Sequence, residues 1–108
     1  MNKISVIGLG SVGTSVLNGM SKYHSTVGYD IDGRGDWQEV VNSDFSFICV
    51  PTNAKRDGSL DMSLVHEVVK RLHKDDFKGT IVIKSTLYPY TMSLLQKEFQ
   101  TLKLCYMP

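Results

Sequence analysis

The run Ile4-Ser5-Val6-Ile7-Gly8-Leu9-Gly10-Ser11-Val12-Gly13 constrains this chain more than any other segment. A short apolar strand, Lys3 to Ile7, leads into three glycines spaced G-x-G-x-x-G, and an apolar-periodic helix opens there. A second strand then ends on an acid, Val27-Gly28-Tyr29-Asp30. Strand, glycines, helix and terminal Asp in that order form the dinucleotide-binding fingerprint.

Each glycine has a physical task in that reading. Gly8 allows the tight turn out of the first strand. Gly10 lacks a side chain, so backbone can approach a pyrophosphate. Gly13 lets the helix pack close to the strand. The helix N-terminus then offers unpaired N–H groups and a partial positive charge to phosphates. Asp30 would accept hydrogen bonds from the hydroxyls of an adenosine ribose. The competing reading is an α/β domain that keeps the turn and binds no nucleotide.

The rest of the chain alternates strand and helix. Helix A is expected over Ser11 to Met20, with Val12, Val16, Leu17 and Met20 on its buried face, and strand two over Thr26 to Tyr29. Asp32-Gly33-Arg34-Gly35 reads as a turn, and Asp36 as the cap of a short helix through Asn42 that turns Trp37, Val40 and Val41 to the sheet. Strand three, Phe45 to Val50, is a near-continuous apolar run of the kind a parallel strand needs when both faces are covered. A polar loop, Thr52 to Leu60, precedes a helix capped by Asp61 or Ser59, whose Met62, Val65, Val68, Val69 and Leu72 recur at helical spacing through His73. Strand four (Thr80 to Lys84), a helix near Thr91 to Gln100 and strand five (Leu102 to Tyr106) complete the pattern. Such alternation predicts an α/β, Rossmann-like three-layer fold around a five-stranded parallel sheet. The fourteen residues 31–44 hold only one short crossover helix at about 1.5 Å per residue, so the predicted strand order is 2-1-3-4-5.

A chain of 108 residues is expected to be one domain, spanning 1–108. Its net charge of +1 and lack of a Lys/Arg cluster make no electrostatic case for nucleic acid or a membrane surface. Strand one begins almost at the first residue and no apolar run is long enough for a membrane span, so a cytoplasmic protein without a leader is expected. Cys49 and Cys105 are expected to be reduced core thiols in buried strands. His24, His66 and His73 are scattered and read as exposed helix or loop residues, so no metal site is expected.

Three strand-end segments sharpen the reading: Val50-Pro51-Thr52-Asn53, Ile83-Lys84-Ser85-Thr86-Leu87 and Tyr106-Met107-Pro108. With Gly-Leu-Gly-Ser-Val-Gly at the start, this order resembles the N-terminal NAD-binding domain of the UDP-glucose 6-dehydrogenase and GDP-mannose dehydrogenase family, along the whole chain. The resemblance implies that Gly8, Gly10, Ser11, Val12 and Gly13 cradle the NAD pyrophosphate and that Asp30 holds the adenosine ribose, with Arg34 beside it. It implies that Val50, Pro51 and Thr52 pass under the riboses, and that Ser85 and Thr86 lie at the nicotinamide end, with Thr86 positioning water.

Two departures qualify the resemblance. The family carries a helix, a strand and a further helix where residues 31–44 stand, so the outer strand should be missing and the adenine side shallow and open. The nucleophilic Cys, the Lys and the Asn that oxidise a sugar 6-hydroxyl come from later segments in the family, and Cys49, Cys105 and Lys84 do not match them. The chain is therefore expected to be inactive alone, either as a piece of a longer protein or as a naturally short one, and to be a monomer or weak dimer. A nucleotide sugar is expected as partner only in an intact relative. The alternatives are a non-catalytic nucleotide-binding module and a domain of a 3-hydroxyacid or 6-phosphogluconate-type dehydrogenase.

Overall fold

The computed structural model describes residues 2–88 and 90–107. Along them run β1 (Lys3–Ile7), α1 (Ser11–Met20), β2 (Ser25–Tyr29), α2 (Trp37–Val41), β3 (Phe45–Ile48), α3 (Ser63–Lys74), β4 (Thr80–Ile83), α4 (Thr91–Glu98) and β5 (Lys103–Tyr106). The strands form one sheet in the order β2-β1-β3-β4-β5, every pair parallel. This is the Rossmann-like order expected from the short connection after Asp30. No described strand lies outside β2. The last residue of the described chain, Met107, extends the β4–β5 pairing through its N–H to Ile83 O at 2.9 Å, while Pro108 lies outside the described residues.

Alternation along each strand divides the core between two faces. Ile7, Ile48, Ile81 and Ile83 point to one face, where Val40 of α2, Val65, Val68, Val69 and Leu72 of α3, and Leu95 of α4 close over them. Each such side chain removed from water contributes about 2 kcal/mol. Ile4, Val6, Phe47 and Val82 point to the other face, against Val16, Leu17 and Met20 of α1. One helix therefore covers that face, while three cover the first.

This asymmetry corrects two sequence expectations. Cys105 is exposed: it sits on edge strand β5, on the face that only α1 covers, and α1 lies over β1 and β2. Cys49 is half-buried and follows the last residue of β3. Val12 is also exposed, at 54%. It occupies the first turn of α1, which overhangs the strand ends, so the expected apolar face begins one turn later, at Val16. Of the histidines, His24 and His66 are half-buried and His73 is exposed.

At α2 local capping follows the sequence. The Asp36 carboxylate accepts the Gln38 N–H at 3.0 Å and starts α2. The N-cap of α3 is Met62, which makes no side-chain cap, so neither Asp61 nor Ser59 caps the helix; Asp61, just before it, accepts the Ser63 N–H at 3.0 Å. The polar stretch after β3 has more order than a loop. Ala54 pairs antiparallel with Leu60, Lys55 N–H bonds Ser59 O at 2.6 Å, and the Asp57 carboxylate holds Ser59. The turn needs Gly58 at a φ of 86°, which is why this short hairpin closes there.

Candidate nucleotide site

The glycine loop joins β1 to α1 at the C-terminal edge of the sheet, where open α/β folds bind ligands. Gly8 has a φ of 96°, and a Cβ on it would stand 2.8 Å from the Cys49 carbonyl carbon. A Cβ on Gly13 would overlap the Gly8 carbonyl oxygen. These two glycines therefore let the helix start against the strand. Gly10 differs: its φ is −77°, which any residue adopts, and a Cβ there meets nothing within 4 Å. It faces open space.

The first turn of α1 carries no acid, and its N-cap Gly10 supplies no side-chain acceptor. The N–H groups of Ser11, Val12 and Gly13 have no carbonyl one turn earlier to bond, while Thr14 N–H is the first to reach one, Gly10 O at 2.9 Å. Three donors and open room beside them suit the oxygens of a diphosphate. The residues present thus fit a dinucleotide at this edge.

Asp30 follows the last residue of β2. Its Oδ2 accepts the Leu9 N–H at 2.8 Å and lies 3.4 Å from Arg34 Nη2. That bond locks the acid to the glycine loop and leaves Oδ1 without a partner among the described residues. Arg34 is drawn mainly to Asp32, its Nε donating to both carboxylate oxygens at 3.1 and 3.0 Å. That contact holds the Asp32 carboxyl below its usual range and raises the Arg34 guanidinium above its own. With one cation set against two carboxylates, this corner is net negative.

At the ends of β3 and β4, Val50 and Ser85 are buried, Thr52 is half-buried, and Pro51 and Thr86 are exposed. The Ser85 hydroxyl points inward and donates to Val50 O at 2.6 Å, tying the two strand ends together. Ser85 thus sets the position of the Val50-Pro51-Thr52 segment, while Thr86 presents its side chain to solvent. Lys84 Nζ reaches Met107 O at 3.2 Å. Burial pushes the Cys49 thiol up, opposed by the charge of Lys84.

A cavity of about 420 Å³ opens beside the glycine loop, lined by Gly8, Asp30, Ile31, Val50, Trp37 and Arg71 among others. Its far wall was not legible as a site in the sequence. Arg71 stacks 3.9 Å from the Trp37 ring centre and donates to the Tyr29 hydroxyl at 2.9 Å, and Trp37 meets Tyr29 edge-on with centroids 5.1 Å apart. One faint signal existed: Leu64, Glu67, Arg71 and Lys74 form a stripe at helical spacing beside the buried face of α3. Tyr29, Trp37 and Arg71 thus form one wall of this recess. Among the described residues no cluster of His, Cys, Asp or Glu is arranged to hold a metal, and no helix is long and apolar enough to cross a membrane.

Comparison with known proteins agrees with this fold. The chain is 32% identical over 68 residues to GDP-mannose 6-dehydrogenase of Pseudomonas aeruginosa, covering 58% of this chain and 16% of that protein. Among solved structures, UDP-D-ManNAc dehydrogenase from Pyrococcus horikoshii superposes with TM-score 0.82 at 18% identity, over 96% of this chain and 35% of that one. UDP-glucose dehydrogenase from Pyrobaculum islandicum gives 0.78 at 23% identity, over 98% of this chain and 35% of that one. At such identities the superpositions establish the fold, and the chain spans about a third of those structures. Residues 35–104 match the sequence model described as the UDP-glucose/GDP-mannose dehydrogenase family, NAD binding domain. That segment begins after the glycine loop and includes two of the three strand-end segments, Val50 to Asn53 and Ile83 to Leu87. That match spans well over half of the chain, which belongs to the UDP-glucose/GDP-mannose dehydrogenase family as an NAD-binding domain.

Proposed function

We propose that residues 1–108 form a single domain that holds NAD for a nucleotide-sugar 6-dehydrogenase of the UDP-glucose type. The observation that carries this reading is the pairing of an uncapped helix start at Gly10 with an Asp30 carboxylate fastened to the same loop through Leu9 N–H. In this reading Gly8 and Gly13 shape the loop, the N–H groups of Gly10 to Gly13 bind the pyrophosphate, and Asp30 Oδ1 accepts a ribose hydroxyl. Val50, Pro51 and Thr52 line the path of the riboses, and Thr86 faces the nicotinamide end. Bound NAD supplies the hydride acceptor; this domain supplies affinity and orientation.

The net-negative corner of Asp30, Asp32 and Arg34 favours NAD over NADP, since the one cation is already engaged. Oxidation of UDP-glucose or a similar sugar belongs to a longer relative that adds a nucleophile. Alone, the chain acts as a cytoplasmic NAD binder, a monomer or a weak dimer, with no role for nucleic acid or membrane. Calorimetric titration with NAD and NADP, followed by an assay for NADH at saturating UDP-glucose or GDP-mannose, tests this. NAD binding that exceeds NADP binding, without turnover, is the expected result. Equal or tighter NADP binding contradicts the cofactor choice, and NADH production contradicts the division of labour.

A further inference from the structure

The cavity beside the glycine loop has a wall built by three residues far apart in sequence. Tyr29 ends β2, Trp37 begins α2 and Arg71 lies in α3. Trp37 is anchored twice, by its Nε1–H to Asp75 Oδ2 at 2.6 Å and by the Arg71 guanidinium over its ring. Arg71 donates through one nitrogen, Nη1, to Tyr29. Among the described residues it pairs with no carboxylate. A planar cation is thus held flat against an aromatic ring, with donors left over, in a recess that Asp30, Ile31 and Gly8 also line.

Arg71 is solvent-exposed, so its free donors stand open to a ligand with acceptors or a π face. The recess also holds Asp30 and Glu67 against Lys70, Arg71 and Lys74, so it is not a strongly cationic hole of the kind that selects another phosphate. A neutral, flat, nitrogen-rich base fits: its ring nitrogens accept from the in-plane N–H groups of the guanidinium that the Trp37 stack holds in orientation. Apolar Ile7, Val50, Leu64 and Val68 would cover its edges. We infer that Trp37 and Arg71 are the residues that select the adenine base, together forming one wall of its recess. The inference rests on the NAD reading above and adds two positioning residues to it. It also gives the short connection 31–44 a purpose, since it delivers Trp37 to the base.

The chain carries a single Trp, so its emission reports on this wall alone. On titration of the unmodified protein, AMP and NAD should both change Trp37 fluorescence, and nicotinamide mononucleotide should not. Arg71→Met keeps the aliphatic stem and removes the donors. It should weaken AMP and NAD alike by about tenfold, the scale of one hydrogen bond from a charged donor. Trp37→Leu should do the same by calorimetry. Circular dichroism and a melting curve verify that both variants fold. NAD binding seen by calorimetry without any change in Trp37 emission would overturn the inference and leave the NAD reading standing. So would a folded Arg71→Met whose affinity for AMP stays within about twofold. Absence of NAD binding to the unmodified protein overturns both.

Discussion

The Asp30 carboxylate accepts the backbone N–H of Leu9 at 2.8 Å across twenty-one residues, so the acid that ends β2 and the loop that ends β1 are one unit. Asp30→Ala should therefore have two effects. It should lower stability by about 1–2 kcal/mol, for an N–H left without its charged acceptor. It should also weaken NAD binding by about 1.5–3 kcal/mol through the lost ribose contact. Thermal melts and calorimetry separate the two; a loss of stability with unchanged affinity would remove Asp30 from the site.

Gly13 and Gly10 of the loop should behave differently from one another. Gly13→Ala puts a methyl onto the Gly8 carbonyl, a backbone clash that should cost about 3 kcal/mol of stability. Gly10→Val meets open space at a permitted φ, so the melting temperature should hold while NAD binding disappears. Equal destabilisation by both substitutions, in denaturant titrations, would contradict these separate roles.

The buried Ser46 hydroxyl finds no hydrogen-bond partner among the described residues. Ser46→Ala should raise stability by about 1 kcal/mol, because an unsatisfied buried hydroxyl is removed with little volume. Ser85→Ala should do the opposite, since that hydroxyl holds Val50 O at 2.6 Å. Thr86→Ala, at an exposed position, should leave NAD affinity and stability unchanged. Melting curves on the three variants check the order.

Cys49 and Cys105 should react at very different rates. Burial raises the Cys49 thiol above its usual range, so it holds less thiolate at any given pH, whereas Cys105 is exposed. Iodoacetamide near pH 8 should label Cys105 first, with Cys49 catching up only as pH rises further. Peptide mass spectrometry reads the sequence of labelling.

Asp32 should titrate below an ordinary Asp because Arg34 holds its ionised form. A carboxyl depressed on folding lends its stabilisation above the usual carboxylate range and loses it as pH falls through that range. Arg34→Ala should move Asp32 back toward ordinary values in a carboxyl carbon NMR titration without reaching them, because the backbone N–H of residue 34 still donates to its carboxylate.

Much of this architecture was legible because local signals agreed with one another. The strand order followed from how little chain separates Asp30 from Phe45, and Asp36 announced α2 by its capping chemistry. What stayed hidden depends on neighbours distant in sequence. Cys105 looked like a core residue because β5 is apolar, yet strand composition cannot tell a covered face from a bare one. Ser85 was read toward the ligand, while its rotamer turns to Val50. Trp37 and Arg71 lie thirty-four residues apart, and only the packing of α2 and α3 against β2 brings them together.

The most direct test of the account is a proton–nitrogen correlation NMR titration of the unmodified chain with NAD. The amides of Gly10, Ser11, Val12 and Gly13 should shift together and saturably, with those of Asp30 and Ile31, and Gly10→Val should abolish the response. Unchanged amides at millimolar NAD, or shifts confined to other strand ends, would contradict it.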